Sequence, residues 1–165
     1  MTLNIGKQFP FIKGDTFMKK LISILLCVLF LFSFAGLTVS ASEARLVSEE
    51  IQYLDNGDYI VTRIYEDAIS PLANVKSGQK KQDYYVGNKH IFSVTVNGSF
   101  SYTGSTATAT SAASTVAIYN ADATYVSKNA YTAGPNAVAS GTVKYSGSNR
   151  TLTVQLTCSG NGTLS

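Results

Sequence analysis

His90 is the only histidine of the chain, set between Asn88-Lys89 and an apolar run that begins at Ile91. Its near-neutral pKa suits it to serve as general base in a Ser-His-Asp hydrolase. That chemistry needs nucleophile, base and orienting acid to converge. Serines abound, but no G-x-S-x-G motif marks one of them. A histidine in a turn has a simpler use as a solvated polar side chain. Together with Asp83, His90 would supply two ligands to a metal, fewer than a zinc site takes. Asp55-Asn56-Gly57-Asp58 has the look of a calcium loop, but the ligand spacing that ends in glutamate is missing and a hairpin turn accounts for the same residues. Glu49, Glu50 and Glu66 have no spacing that would select a paired-carboxylate glycosidase over ordinary surface charge. The expectation is a protein with no catalytic, cofactor-binding or metal-binding residue, and not an enzyme.

Cysteine chemistry is equally sparse. Cys27 lies inside an apolar run near the start, which leaves Cys158 single in the remainder and without an intramolecular partner. Cys158 alternates with Leu152, Val154 and Leu156, so it shares a strand face with three core candidates. A buried, inert thiol is expected there.

The elements that would position these residues are strands. Ile51–Leu54 and Tyr59–Glu66 flank Asp55-Asn56-Gly57-Asp58, a hairpin signal, with Ile60, Thr62 and Ile64 on one face and Val61, Arg63 and Tyr65 on the other. Residues 68–82, with Ser70-Pro71, Asn74 and Ser77-Gly78, read as a long loop that includes the basic run Lys76–Lys81. Strands then follow at Tyr84–Val86, Ile91–Val96 and Ser99–Thr103, separated by Gly87-Asn88 and by Asn97-Gly98, the latter read as a second hairpin turn. Thr106–Tyr119 forms one long strand or two short ones. Thr124–Thr132, Ala137–Tyr145 and Arg150–Cys158 complete the set, punctuated by Gly134-Pro135-Asn136 and Ser146-Gly147-Ser148-Asn149. No apolar pattern of helical period persists after Ala41. The fold class expected is all-β, an antiparallel β-sandwich that is immunoglobulin-like in the loose sense. Its buried positions should include Ile60, Ile64, Phe92, Val94, Val96, Phe100, Leu152, Val154 and Leu156.

The compartment is written at the other end of the chain. Met18-Lys19-Lys20, the apolar run Leu21–Leu37 and Val39-Ser40-Ala41 before Ser42 have the three parts of a secretory signal peptide, with cleavage expected after Ala41. Residues 1–17 fit no part of a signal. Lys13-Gly14-Asp15 can be encoded by a bacterial ribosome-binding sequence, which points to Met18 as the start in a Gram-positive bacterium. Residues 42–49 read as a flexible N-terminus and residues 50–165 as one domain. The formal charge of +3 belongs to the first 41 residues; after Ala41 nine basic residues balance nine acidic ones. A basic stripe for nucleic acid or anionic lipid is therefore not expected. Aromatic character after Ala41 rests on ten tyrosines, with only Phe92 and Phe100 beside them. Tyrosine suits half-buried strand positions, and also surfaces that bind protein or carbohydrate. The sequons at Asn97, Asn149 and Asn161 read as turns in a bacterial protein.

Three stretches carry a resemblance: Tyr53-Leu54-Asp55-Asn56-Gly57-Asp58-Tyr59-Ile60-Val61-Thr62, then Ser93–Ser105 with its Asn97-Gly98 and Tyr102-Thr103-Gly104-Ser105, and last Leu152–Ser165. In their order the chain from Tyr53 to Ser165 resembles a group of uncharacterised small exported proteins of gut Firmicutes. The resemblance implies a secreted all-β domain of unknown function. It also implies a cysteine at the place held here by Ala109, paired with the equivalent of Cys158, a pattern from which this chain departs. The functional expectation is a secreted protein acting by surface contact at the cell envelope or with an external partner, away from nucleic acid and membrane. A bacteriocin-like toxin and a hydrolase using His90 stand as its alternatives.

Overall fold

The computed structural model describes residues 44–68 and 74–165. The expected signal segment and cleavage point, the expected upstream extension and the Ser70-Pro71 step lie outside the described residues. Eight strands follow in order: β1 Arg45–Tyr53, β2 Tyr59–Glu66, β3 Val75–Val86, β4 Lys89–Tyr102, β5 Ala107–Ile118, β6 Thr124–Ala133, β7 Asn136–Tyr145 and β8 Ser148–Thr157. The first five form one antiparallel meander and the last three another. The two sheets pack face to face in the manner of a sandwich, with β8 over β3 and β4, β7 over β4 and β5, and β6 against β5, while β1 and β2 overhang the smaller sheet.

Alternation places the core where the expected residues stand. Ile64, Phe92, Val94, Val96, Phe100, Leu152, Val154 and Leu156 are buried and pack in one cluster with Ala137, Ala139 and Val143. Ile60 is only partly buried, because it lines an open cleft at that end of β2. Cys158 continues the β8 row and is buried and unpaired, with burial pushing its thiol pKa up. Truncating so small a side chain costs little: Cys158→Ala should lose about 1 kcal/mol in urea unfolding. A thiol reagent should label native Cys158 only as fast as the protein opens.

Three expectations about boundaries are corrected. Residues 45–49, read as part of a flexible terminus, are the first half of β1. Residues 75–82, read as loop, are most of β3, a strand paired on both sides with β2 and β4. Lysine, glutamine and glycine are weak strand formers, but two neighbouring ladders decide the conformation. The alternation splits the basic run: Lys76 pairs with Glu66 on one face and Lys81 with Asp83 on the other. Lys80, half-buried on the inner face, has its pKa pushed down by desolvation.

The third correction concerns Asn97-Gly98, which lies in mid-strand within β4. Gly98 sits opposite Gly78 on β3 and Ala112 on β5, and its φ is not positive. A Cβ there would stand 2.8 Å from the Ala137 Cβ and 2.9 Å from the Phe100 ring. The glycine serves close approach of the two sheets, and the hairpin geometry read from Asn-Gly is not used. Of the three sequons only Asn161 lies in a turn, since Asn149 belongs to β8. The turn at Asn56-Gly57 forms as expected, with Gly57 at φ 80°.

Candidate functional site

The outer face of the five-stranded sheet carries the residues with chemical potential. Register sets Tyr53 of β1 opposite Tyr59 of β2, Tyr59 opposite Tyr85 of β3, and Tyr85 opposite His90 of β4. Tyr119, just beyond β5, closes the row against His90. Ring centroids are separated by 5.8, 4.7, 4.6 and 3.9 Å along the series, and the last three pairs are stacked. Five rings thus run across the whole width of the sheet at one end.

His90 reaches this face through a β-bulge. Strict alternation with Phe92 and Val94 would turn His90 inward and Ile91 outward. The pairing jumps between Tyr84 and Tyr85, leaving Ile91 unpaired with β3, so Ile91 drops into the core and His90 emerges beside Tyr85. The Ile91 carbonyl accepts the Tyr119 and Asn120 amides instead, which anchors the last ring of the row.

Next to the rings lies a charged row. Asp83 is 1% exposed, and its Oδ2 accepts a hydrogen bond from Arg63 Nη1 at 2.8 Å. Arg63 in turn donates from Nε to Glu49 at 2.5 Å. Lys81 Nζ and His90 Nε2 lie 2.9 and 3.0 Å from Asp83 Oδ1. Those two contacts are close in distance but poorly aligned, so Oδ1 receives charge without a directed hydrogen bond. Burial lowers the His90 pKa more than Asp83 raises it, and Lys81 lowers it further, so the imidazole is neutral at pH 7. Arg63 and Lys81 hold their protons more firmly than usual, through the Glu49 hydrogen bond and the Asp83 contact respectively. The buried carboxylate is thereby balanced by two cations.

The structure brings together His90 and Asp83, the pair considered for a metal or a hydrolase. The imidazole is sandwiched between Tyr85 and Tyr119, and the edge bearing Nε2 faces Asp83. Ser93, opposite Asp83 in register, is 1% exposed, and no hydrogen bond joins it to His90. The cluster holds an acid and a base, and the serine beside them is buried. Among the described residues no third histidine, cysteine or carboxylate completes a metal-binding group.

The other candidates are kept apart. Glu49 is on the outer face, whereas Glu50 and Glu66 share the inner one. Glu66 lies four residues beyond Thr62, the partner of Glu50, which is about 13 Å at 3.3 Å per residue and beyond the reach of a carboxylate pair. Arg45 and Lys76 lower the Glu66 pKa and hold it ionised. In the β1–β2 turn, the Asp58 carboxylate accepts from Asn56 Nδ2 at 2.7 Å and from the Tyr84 hydroxyl, tying the turn to β3. Ala109, where the resemblance implies a cysteine, and Cys158 donate their amides to the consecutive carbonyls of Gly134 and Pro135, so both flank one turn.

The aromatic row was not legible beforehand. Its only sequence signal is a tyrosine or histidine close to a turn at one end of each strand of the larger sheet. Comparison with models of protein families, with curated proteins and with solved structures found no match.

Proposed function

We propose that this chain is an exported, non-enzymatic binding protein, and that the aromatic row Tyr53, Tyr59, Tyr85, His90 and Tyr119 is its contact surface. The observation that carries the reading is the continuity of the row across the larger sheet, on the face turned away from the smaller one. Export is supported by the signal pattern at Met18–Ala41, and action at the envelope of a Gram-positive cell or on an external partner accords with the resemblance to exported gut Firmicutes proteins.

The stacking favours a protein partner over a sugar. Tyr59, Tyr85, His90 and Tyr119 spend their faces on one another, leaving ring edges and hydroxyls outward. Only the two end rings, Tyr53, 76% exposed and tilted from its neighbour, and Tyr119, 52% exposed with Lys81 near its ring, have a face not stacked on another ring of the row. Edges and hydroxyls suit the mixed polar and apolar surface of a protein, where tyrosine is a frequent anchor. Balanced charge in Glu49, Arg63, Asp83 and Lys81 adds hydrogen-bonding rigidity without a strong field.

Binding of the purified protein to surface proteins of intact bacterial and epithelial cells, read by cross-linking and mass spectrometry, tests this. Tyr59→Ala with Tyr85→Ala should lower the captured amount of one defined protein at least tenfold, an anchor-sized loss, while circular dichroism stays that of a β protein. Capture that is unchanged by the double substitution, or that is abolished by removing cell-surface glycans alone, overturns it.

A further inference from the structure

A second site lies at the opposite face, where β2 overhangs the smaller sheet. A cleft of about 390 Å³ is lined by Leu54, Ile60, Tyr84, Asn149, Arg150 and Leu152, together with Asn56 and Thr151. That volume is at the lower end of what small-molecule sites enclose. Leu54, Ile60 and Leu152 give it apolar walls.

Arg150 gives it a charge. It stands two residues before Leu152 on β8, so the alternation that turns Leu152, Val154 and Leu156 into the core turns its guanidinium inward as well. Its Nε is buried and donates to no acceptor, and among the described residues Arg150 makes neither an ion pair nor a hydrogen bond. A buried donor without a partner is costly, and a charged one more so. The Asp58 carboxylate, whose partners Asn56 and Tyr84 line the cleft, is already occupied by the Asn56 amide and the Tyr84 hydroxyl.

We propose that this cleft binds a carboxylate borne on an apolar chain, with Arg150 as its anchor. A guanidinium presents parallel N–H donors that match a carboxylate, and the apolar walls take the chain attached to it. Asp58 in the same corner disfavours a dianion such as phosphate, because one arginine would face two opposing charges. The edge of β8 beside the cleft extends the site: β8 is the last strand of its sheet, and the C-terminal segment pairs with it only at Thr157. An extended peptide ending at Arg150 would find unpaired backbone from Asn149 to Leu152. The same carboxylate is offered by a peptide C-terminus or by a free branched-chain acid.

Three probes are titrated into the full-length protein and followed by the Arg side-chain Nε–H and backbone amide resonances. They are N-acetyl-Ala-Val-Leu as the free acid, the same peptide as its C-terminal amide, and 4-methylpentanoate. The free acid should shift the Arg150 Nε–H and bind at least tenfold more tightly than the amide, about 1.4 kcal/mol. A peptide acid that outbinds 4-methylpentanoate identifies a peptide C-terminus as the source, and equal binding identifies the bare acid; either supports the site. Arg150→Gln should abolish the preference for acid over amide. Should that variant fail to fold, the acid and amide comparison on the unaltered protein still decides. Equal affinity for acid and amide, or no shift of Arg150 with any probe, overturns the proposal. The outer-face tyrosines are not involved, so Tyr59→Ala with Tyr85→Ala leaves these titrations unchanged, and the two readings fail independently.

Discussion

Asp83→Ala lowers the unfolding free energy by about 3 kcal/mol, and this is among the largest losses expected from any single polar substitution in the domain. Three basic side chains converge on a carboxylate that is 1% exposed, so its removal leaves Arg63, Lys81 and His90 facing one another with Glu49 as the only remaining anion. Breaking a buried pair from one side typically costs 3–5 kcal/mol. The lower end applies because Arg63 and Lys81 are each 27% exposed and retain part of their hydration. Urea denaturation measures the loss. Arg63→Ala in the same background should recover part of it, since the double variant no longer crowds two cations. A loss below about 1 kcal/mol would show that the cluster is an ordinary surface network.

His90 supplies an independent readout of the same substitution. As the sole histidine it gives one imidazole signal, and burial already holds its pKa below the usual 6.5. Asp83 is the chief group raising it, so Asp83→Asn should move the titration to lower pH still. The sign for stability follows. A histidine whose folded pKa is depressed contributes stability above its unfolded pKa, and that contribution is lost as pH falls from about 6.5 toward the folded value.

Gly98→Val prevents the sheets from closing and costs at least 3 kcal/mol, with Gly98→Ala losing roughly 1–3 kcal/mol by overpacking. The Cβ would meet the Ala137 Cβ and the Phe100 ring at distances that real side chains do not tolerate, and both neighbours are buried without room to yield. In an open strand, Gly→Ala would instead gain about 0.5–1 kcal/mol by restricting the unfolded chain. The sign of the alanine variant, read from thermal unfolding, therefore separates a glycine chosen for sheet contact from one chosen for flexibility. Gly57→Ala provides the comparison, because its cost arises from φ 80° with nothing near its Cβ.

Much of the architecture was readable from period-two alternation. Phe92, Val94 and Val96, or Leu152, Val154 and Leu156, can bury one face only as strands, and turn residues at Gly87, Gly134 and Gly147 adopt the positive φ that their type permits. Polar strands were not readable by that rule. β3 carries too few apolar residues to show a period, and its conformation comes from hydrogen bonding to β2 and β4 on either side. Asn97-Gly98 misled for a related reason: a glycine that frees the backbone and a glycine that admits a neighbouring ring look alike along the chain.

What the sequence determined alone is therefore local: the strand class, the alternating core and the place of Cys158 within it. The tertiary structure decided which polar residues meet. Asp83 and His90 become neighbours because a bulge at Ile91 reverses the side from which His90 emerges, while Phe92, Val94 and Val96 beyond it keep the face that alternation assigns. Tyr53, Tyr59, Tyr85 and Tyr119 form one surface with His90 only when five strands are in register. Arg150 faces a cleft only because β2 extends past the edge of β8. Register and overhang are set by packing between segments far apart in the chain, where hydrophobic contact is non-directional and pairing is decided by the whole sheet at once.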